Sequence, residues 1–314
     1  MNLIRGLHNL KKQQSSVVTI GNFDGVHIGH QKIIARLTEK AKEMGVPSVL
    51  ISFMPTPQSF FGREQASLSS FKEKHRLLSG LNLDIHLIIH FNKDFSQLEA
   101  RDFVQNILLN KLRMKHCLIG DDFRFGKDRT GNFELLKNLS MDNGFTVEKT
   151  PSILYNNHRV SSSEIRLLLE QGKMRSASQA LGREFSIAGK VIHGLKNGRS
   201  IGFPTINIPI KRKISPVHGI FAVTVEIEGK THQGVCSIGN RPIIGGAKTL
   251  LEVFLFDFNL DVYGLKVKTT FKHKIRNEEN FDDFKALKQQ IAADVEMAKN
   301  YFNQNTLYSG AATY

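Results

Sequence analysis

Cysteine is nearly missing from this chain: two in 314 residues, Cys117 and Cys236, in widely separated apolar contexts. That excludes a disulfide-built scaffold, and the pair reads as two buried thiols in a reducing compartment. Long hydrophobic runs are absent as well, and no stretch approaches the ~20 apolar residues that a membrane span needs. The start, Met1-Asn2-Leu3-Ile4-Arg5, lacks the long apolar core and cleavage site of a secretory leader, so a cytoplasmic location is expected. Internal repeats and low-complexity linkers are also lacking, so the domains are expected to be joined closely.

What the chain does have is length for about two domains of ~100–200 residues and a hydrophobic content of 40%, enough for packed cores. It also has an excess of positive charge: 43 Lys and Arg against 29 Asp and Glu, a net +14. Nucleic acid, a membrane surface or phosphorylated small molecules would all profit from such a field. The basic residues are spread along the whole chain, and the densest run, Lys211-Arg212-Lys213, is short and has no interleaved aromatics. A solvated basic face serving di- and triphosphate ligands is therefore expected, with no nucleic-acid and no membrane partner.

The first half alternates between two patterns. Short apolar runs at Val17–Ile20, Val49–Phe53, Ile85–Phe91 and Cys117–Ile119 read as strands. Gln31–Met44 and Gln97–Lys111 read as helices, the former with Ile34, Leu37, Ala41 and Met44 on one face and Gly45 to end it. This alternation predicts a Rossmann-like parallel sheet covered by helices, with ligands at the carboxyl ends of the strands. Near Leu181-Gly182-Arg183 the character changes. Strand-like runs recur at Ile187–Ile192, Ile206–Ile210, Ile220–Ile227, Leu251–Phe258 and Leu265–Phe271, as in an antiparallel barrel. One long helix, Phe281–Phe302, follows, and Asn303–Tyr314 is expected to fray.

Gly21-Asn22-Phe23-Asp24-Gly25-Val26-His27-Ile28-Gly29-His30 joins the first strand to the first helix. A helix start offers free N–H groups and a positive dipole end, and glycine lets phosphate approach the backbone. Two imidazoles three residues apart add donors that follow charge developing on a phosphate. Histidines that merely cap a helix would explain the bare motif equally well; no ligand spacing supports zinc. Three segments strengthen the nucleotide reading. Phe53-Met54-Pro55-Thr56-Pro57 makes a stiff loop after the second strand. Gly120-Asp121-Asp122-Phe123-Arg124-Phe125-Gly126 places carboxylates and an arginine at a strand end, where Phe123 and Phe125 either flank a planar ring or pack into the core. Ser161-Ser162-Ser163-Glu164-Ile165-Arg166 makes a capping box whose hydroxyls and N–H groups can also bind outer phosphates.

In the second half, Gly189-Lys190-Val191-Ile192-His193-Gly194 leads into Gly198-Arg199-Ser200-Ile201-Gly202-Phe203-Pro204-Thr205-Ile206-Asn207. No G-K-[ST] follows the glycines, which excludes a P-loop. Thr205 and Asn207 share a strand face, and a hydroxyl and an amide together can hold hydrated Mg²⁺ through oxygen. By itself this span also reads as a glycine-rich hairpin. A lone carboxylate at Glu252, between apolar strand neighbours, is costly without a task.

Together these residues resemble the bacterial bifunctional riboflavin kinase/FAD synthetase family. The first half follows its patterns G-x-F-D-G-x-H-x-G-H, F-x-P-x-P, G-x-D-F-R-F-G and I-S-S-[ST]-x-[IV]-R in order, over nearly all of residues 1–182. Val160 stands where isoleucine is usual, and Thr56 where many members carry histidine. The second half follows G-x-V-x-H-G-x-x-x-G-R-x-x-G-F-P-T-A-N with Ile206 as the one departure. It then matches at Gly234–Pro242, at Leu251–Leu255 with Phe254 for a common histidine, and at Arg276-Asn277-Glu278.

The resemblance implies an FMN adenylyltransferase domain at 1–182 and a riboflavin kinase domain, a six-stranded antiparallel barrel with a C-terminal helix, at 183–314. Riboflavin would be phosphorylated to FMN, and FMN adenylylated to FAD, with ATP as co-substrate and Mg²⁺ in both steps. It implies catalytic roles for His27, His30 and Glu252, the last as base for the riboflavin 5′-hydroxyl. ATP and phosphate binding would fall to Gly21, Phe23, Asp24, Gly29, Ser162, Ser163, Arg166, Gly189, Gly194, Gly202 and Thr205. Flavin would meet Asp122, Phe123, Arg124, Phe125 and Arg276, and the metal Thr205 and Asn207. Two rivals fit less of the chain. A class I aminoacyl-tRNA synthetase fragment would share H-x-G-H and read Lys173-Met174-Arg175-Ser176 as its second signature, but it has no place for F-P-T-x-N, and Lys173–Ala180 reads as a short surface helix. A non-catalytic flavin- or RNA-binding protein would leave the histidines, Thr205, Asn207 and Glu252 unexplained.

Overall fold

The computed structural model describes residues 1–11, 15–151, 153–155, 158–194, 202–210, 212–243, 246–281 and 283–309. The stretch Gly198-Arg199-Ser200-Ile201, Lys211 and the last five residues lie outside the described residues. The chain divides into two compact units, Met1–Gln65 with Phe71–Ser162, and Ala66–Ser70 with Ser163–Tyr314.

The first unit is built on six parallel strands: β1 (Asn2–Arg5), β2 (Ser16–Ile20), β3 (Ser48–Met54), β4 (Ile85–His90), β5 (Met114–Gly120) and β6 (Thr146–Thr150). Their order is β1-β4-β3-β2-β5-β6, every neighbouring pair parallel. Parallel sheets are covered on both faces, which is why Val17, Val18, Val49, Leu50 and Ile51 read as unbroken apolar runs. On one face, helix α1 (Ile28–Glu43) sets Ile34, Leu37 and Ala41 against Val17, Leu50 and Leu118. The short helices α2 (Pro57–Phe60), α3 (Phe71–Ser79), α4 (Lys93–Ser96) and α5 (Ala100–Asp102) follow, and α6 (Phe133–Asn143) precedes β6. On the other face Phe103, Val104, Ile107 and Leu108 pack against Val18, Ile20 and Ile119. The helix expected over Gln97–Lys111 takes another form. After α5 the turns widen into a π-helix, Phe103–Leu109, and the N–H groups of Asn110 and Leu112 reach back five residues to Gln105 and Ile107. Its buried side chains are Phe103, Val104, Ile107 and Leu108.

Strand order decides where a ligand can sit. From β2 the chain winds through β3 to β4 on one side, then crosses to β5 and β6 on the other. Such a reversal opens a crevice at the carboxyl ends of the two strands it separates. Here those strands are β2, which runs into Gly21, and β5, which ends at Gly120.

Between the parallel sheet and the barrel come the hairpin β7 (Leu154–Tyr155) and β8 (His158–Arg159), then α7 (Ser162–Glu170) and α8 (Met174–Leu181). The latter buries Met174, Ala177, Ala180 and Leu181, so it is an amphipathic packing helix rather than the surface helix expected there. The second unit holds β9 (Ser186–Lys190), β10 (Thr205–Pro209), β11 (Gly219–Ile227), β12 (Lys230–Ile243), β13 (Gly246–Leu255) and β14 (Lys266–Arg276), in the antiparallel order β10-β13-β12-β11-β14-β9. Beyond β9 the chain bridges back to β10, with Ile192 N–H on Asn207 O at 2.8 Å, so the sheet nearly closes into a barrel. Gly189 is what lets β9 cross β10 there, because a Cβ on it would lie 2.4 Å from the Ile208 side chain. One face of the sheet buries Phe221, Val223, Ile238, Leu251, Val253 and Phe271. The opposite face, with Ile220, Ala222 and Val235, is covered by α9 (Phe284–Ser309) through Val295, Ala298 and Phe302.

Two expectations change here. β12 had no strand assigned to it, because Gly234, Gly239 and its polar residues break the apolar run. The terminal helix continues to Ser309, past the point at Asn303 where fraying was expected.

Candidate active sites

The turn leaving β2 is tightly wound. Phe23 (φ 48°), Gly25 (φ 77°) and Val26 (φ 42°) all take left-handed backbone, and Phe23 and Val26 are buried. A β-branched residue resists that conformation, so its packing against the core holds it there. His27 caps α1: its Nδ1 accepts the His30 N–H at 3.3 Å. Nδ1 is therefore the acceptor in this bond, which puts the ring N–H at Nε2. The His27 and His30 rings stack with centroids 3.5 Å apart, and Phe23 lies against His30 at 4.9 Å. Gly29 is needed for this packing, since a Cβ would sit 3.0 Å from His27 Nδ1; at Gly21 a Cβ would sit 3.0 Å from the Phe23 ring. Burial holds the His30 pKa well below the ordinary histidine value, with the charges of His27 and Lys74 adding to the effect. His30 thus sits as a neutral imidazole stacked on His27 at a helix start, where backbone N–H groups favour an anion. Ser162 Oγ donates to Asp24 O at 3.1 Å and ties the start of α7 to the same turn.

Across the crevice, Asp121 pairs with Lys149 at 3.5 Å and Asp122 with Arg159 at 2.8 Å. Phe123 stacks on Phe125 at 5.4 Å, and Arg124 donates to Phe123 O at 3.0 Å. Of the two roles open to Phe125, its surroundings display the packing one: it is 8% exposed, lies 5.6 Å from Phe103, and exchanges backbone bonds with Gly131. Thr56 caps α2, its hydroxyl accepting Ser59 N–H at 3.3 Å. Ser163 and Arg166 lie in α7 with the second unit, where Arg166 Nε donates to Ala66 O.

In the barrel, register brings the second set together. Thr205 pairs with Phe254 and Asn207 with Glu252 across β10 and β13, and Glu252 pairs with Ser237 across β13 and β12. Asn207, Glu252 and Ser237 therefore form one row on one face. Asn207 is 7% exposed, and its amide lies against Gly194, where a Cβ would meet Nδ2 at 2.4 Å. Gly194 admits this contact, and Gly202, at φ 89°, precedes β10. Beside Thr205 opens a cavity of about 520 Å³, walled by Pro204, Ile206 and Leu255 and by Phe258, Asp261 and Tyr263 of the loop beyond β13. That loop was missed. A strand was expected to run to Phe258, but the chain turns at Asp257 (φ 50°). Arg276 is committed elsewhere in this structure: its fork grips both oxygens of Asp294 on α9 at 2.8 Å, and Gln290 adds a third bond to that carboxylate.

A family model described as FAD synthetase matches residues 9–164, and one described as riboflavin kinase matches residues 181–302. The chain is 44% identical over 310 residues to the bifunctional riboflavin kinase/FMN adenylyltransferase of Buchnera aphidicola subsp. Schizaphis graminum, covering 96% of this chain and 99% of that one. It is 42% identical over 307 residues to the protein of the same description in Haemophilus influenzae, covering 96% and 100%. The chain belongs to the bifunctional riboflavin kinase/FMN adenylyltransferase family. Membership accounts for both constellations, in the order the sequence presents them. The crystal structure of a macrolide-efflux protein from Streptococcus pneumoniae shares the fold across 96% of this chain and 99% of that one, with a TM-score of 0.81 and 28% identity. Among the described residues no helix is long and apolar enough to cross a membrane.

Proposed function

We propose that the chain converts riboflavin to FMN and FMN to FAD, each step at one of the two residue sets above. The parallel-sheet unit carries adenylyl transfer. The FMN phosphate attacks the α-phosphate of ATP and pyrophosphate leaves, with no covalent enzyme intermediate. The observation that supports this most is the stacked His27–His30 pair at the start of α1, beside the β2/β5 strand-order reversal. In the proposed role, Nε2–H of His27 and the ring of His30 donate to the oxygens on which charge develops. Gly21, Phe23, Asp24, Gly29 and Ser162 shape the phosphate side, and Asp122, Phe123 and Arg124 the flavin side, with Phe125 stacked behind Phe123. For Ser163 and Arg166 the proposal rests on the sequence motif.

The barrel carries the kinase step. Glu252 accepts the riboflavin 5′-hydroxyl proton as the γ-phosphoryl group transfers, and Asn207 and Thr205 flank it on the neighbouring strand. The cavity beside Thr205 has the volume of a small-ligand pocket, and we assign it to ATP. Gly202 leaves the backbone open toward the phosphates; for Gly189, Gly194 and the flavin contact proposed for Arg276 the reading rests on the sequence motif, since Ile208, Asn207 and Asp294 already pack against them. Among the described residues no three His, Cys, Asp or Glu side chains group as a metal site. The hydroxyl of Thr205 and the amide oxygen of Asn207 suit a hydrated Mg²⁺ that arrives on ATP phosphates, where it would neutralise charge.

We divide the activities at residue 182, adenylyl transfer before it and kinase after it. The +14 charge serves polyphosphate substrates rather than nucleic acid. Cys117 and Cys236 are free buried thiols, which supports the reducing cytoplasm as the location. The test is incubation of the pure protein with riboflavin, ATP and Mg²⁺, followed by chromatography of the flavins. FMN should rise and then give way to FAD as pyrophosphate is released. Riboflavin left unchanged would end the reading.

A further inference from the structure

Lys74, on α3, belongs to neither sequence motif, yet it reaches the centre of the first site. Its Nζ donates to the carbonyl oxygen of Asn22 at 2.8 Å, in the turn that presents His27 and His30. The Asn22 side chain is fastened in turn by Gln58 Oε1 at 3.0 Å. Beneath the lysine lies a polar layer in a sheet face otherwise lined by Val17, Leu50, Leu78 and Leu118. His86 is fully buried, with its Nε2 on Ser52 Oγ at 2.8 Å. The buried atoms His86 Nδ1, His75 Nδ1, His30 Nδ1 and Thr19 Oγ1 have no hydrogen-bond partner among the described residues.

We propose that Lys74 is a positioning residue for adenylyl transfer: its ammonium fastens the Asn22 carbonyl and sets the electrostatic potential beneath His30. The proposal rests on the adenylyl-transfer reading of this site. An ammonium drawn partly out of water is a costly way to hold one carbonyl, and a neutral side chain of similar length would reach the same place. What the charge adds is its field. The groups that face it are Asp24 from the turn, His30 from α1, His86 from β4 and its neighbour His75 on α3. Asp24 supports the charged lysine, while burial opposes it. The lysine in turn acts against protonation of His30 and His86. His30 thereby stays a neutral donor stacked on His27. Protonating it would place a second cation in the same low-dielectric slot.

The test compares Lys74→Gln and Lys74→Arg with wild type in the full chain. Riboflavin phosphorylation and FMN adenylylation are measured on one preparation, across the pH range in which histidine titrates. Lys74→Gln should lose roughly 10²-fold in adenylylation, mainly in kcat, as expected for displaced catalytic groups. The acid limb of its adenylylation profile should move to higher pH, by about 1 unit, because a cation no longer disfavours His30 protonation. Lys74→Arg should keep the wild-type limb, and kinase turnover should be unchanged in both. A second readout needs no variant: NMR titration of the wild-type His30 ring should find it neutral to well below the usual histidine range. Wild-type adenylylation kinetics in Lys74→Gln would overturn the proposal. So would an unmoved acid limb with Lys74→Arg no better than glutamine, or a His30 ring that titrates in the ordinary range. A wild-type protein that makes FMN from riboflavin but no FAD from FMN would instead overturn the adenylyl-transfer reading itself.

Discussion

At the scale of single residues, Gly29 shows how closely the first site is packed. The His27 ring occupies the space a side chain at 29 would take, with Nδ1 and Cε1 at 3.0 and 3.1 Å from the added carbon. Gly29→Ala should therefore push the His27 ring aside without unfolding α1, and FAD formation should fall by up to about 10²-fold. Steady-state assays of both activities check this, since FMN formation should not change. His86 gives a different signature. It is fully buried, and burial pulls its pKa down to about 3, with Lys74 and then His75 contributing. Folding holds the ring neutral, while the unfolded chain binds a proton near pH 6.5. Stability of the first unit should therefore be intact above about pH 6.5 and fall as pH drops toward 3, by at most about 1.4 kcal/mol per unit for this one group. Urea denaturation at several pH values should show the slope, and His86→Gln should flatten it. The histidine pair and the glycines stand out as candidates by residue type and spacing, and Glu252 through the family resemblance. Lys74 does not. It sits in a run of charged residues, Lys72-Glu73-Lys74-His75-Arg76, and only the fold tells which of them faces the turn.

At the scale of elements, the ion pair between β14 and α9 stands out. Asp294 is buried, its carboxylate carries both arms of Arg276, and that bond raises the arginine's pKa. Asp294→Ala would leave a largely buried guanidinium without its partner, which commonly costs about 3–5 kcal/mol. The midpoint of chemical denaturation should fall accordingly, and a loss of a few tenths of a kcal/mol would show that the pair is not what holds α9. Strands dense in β-branched residues, such as β2, β3 and β11, were plain in the sequence because both of their faces are buried. β1, β6 and β12 were not. Four residues at the edge of a sheet carry little pattern, Thr146–Thr150 alternates with charge, and β12 is broken by glycines that other groups need to approach: a Cβ at Gly239 would fall within 2.2 Å of Glu278. The π-helix at Phe103–Leu109 was legible only as an apolar face, since backbone hydrogen bonds leave no mark on residue spacing that a four-turn reading can separate.

At the scale of the whole molecule, two family matches in succession, at 9–164 and 181–302, account for the length and the change of composition near residue 182. A fragment of residues 183–314 should make FMN and no FAD; a folded fragment unable to phosphorylate riboflavin would show the division to be misplaced. The most direct measurement is a crossed pair of assays on two full-length variants. His30→Ala removes the donor proposed for the α-phosphate, and such a loss typically slows turnover ~10²–10³-fold. Glu252→Gln keeps the shape of the side chain but removes the base proposed for the 5′-hydroxyl, a loss of ~10²–10⁴. His30→Ala should let FMN accumulate while FAD formation falls, and Glu252→Gln should stop FMN formation from riboflavin yet convert supplied FMN to FAD at the wild-type rate. If either variant loses both activities in proportion, or loses the one assigned to the other, the account of two separate sites is contradicted.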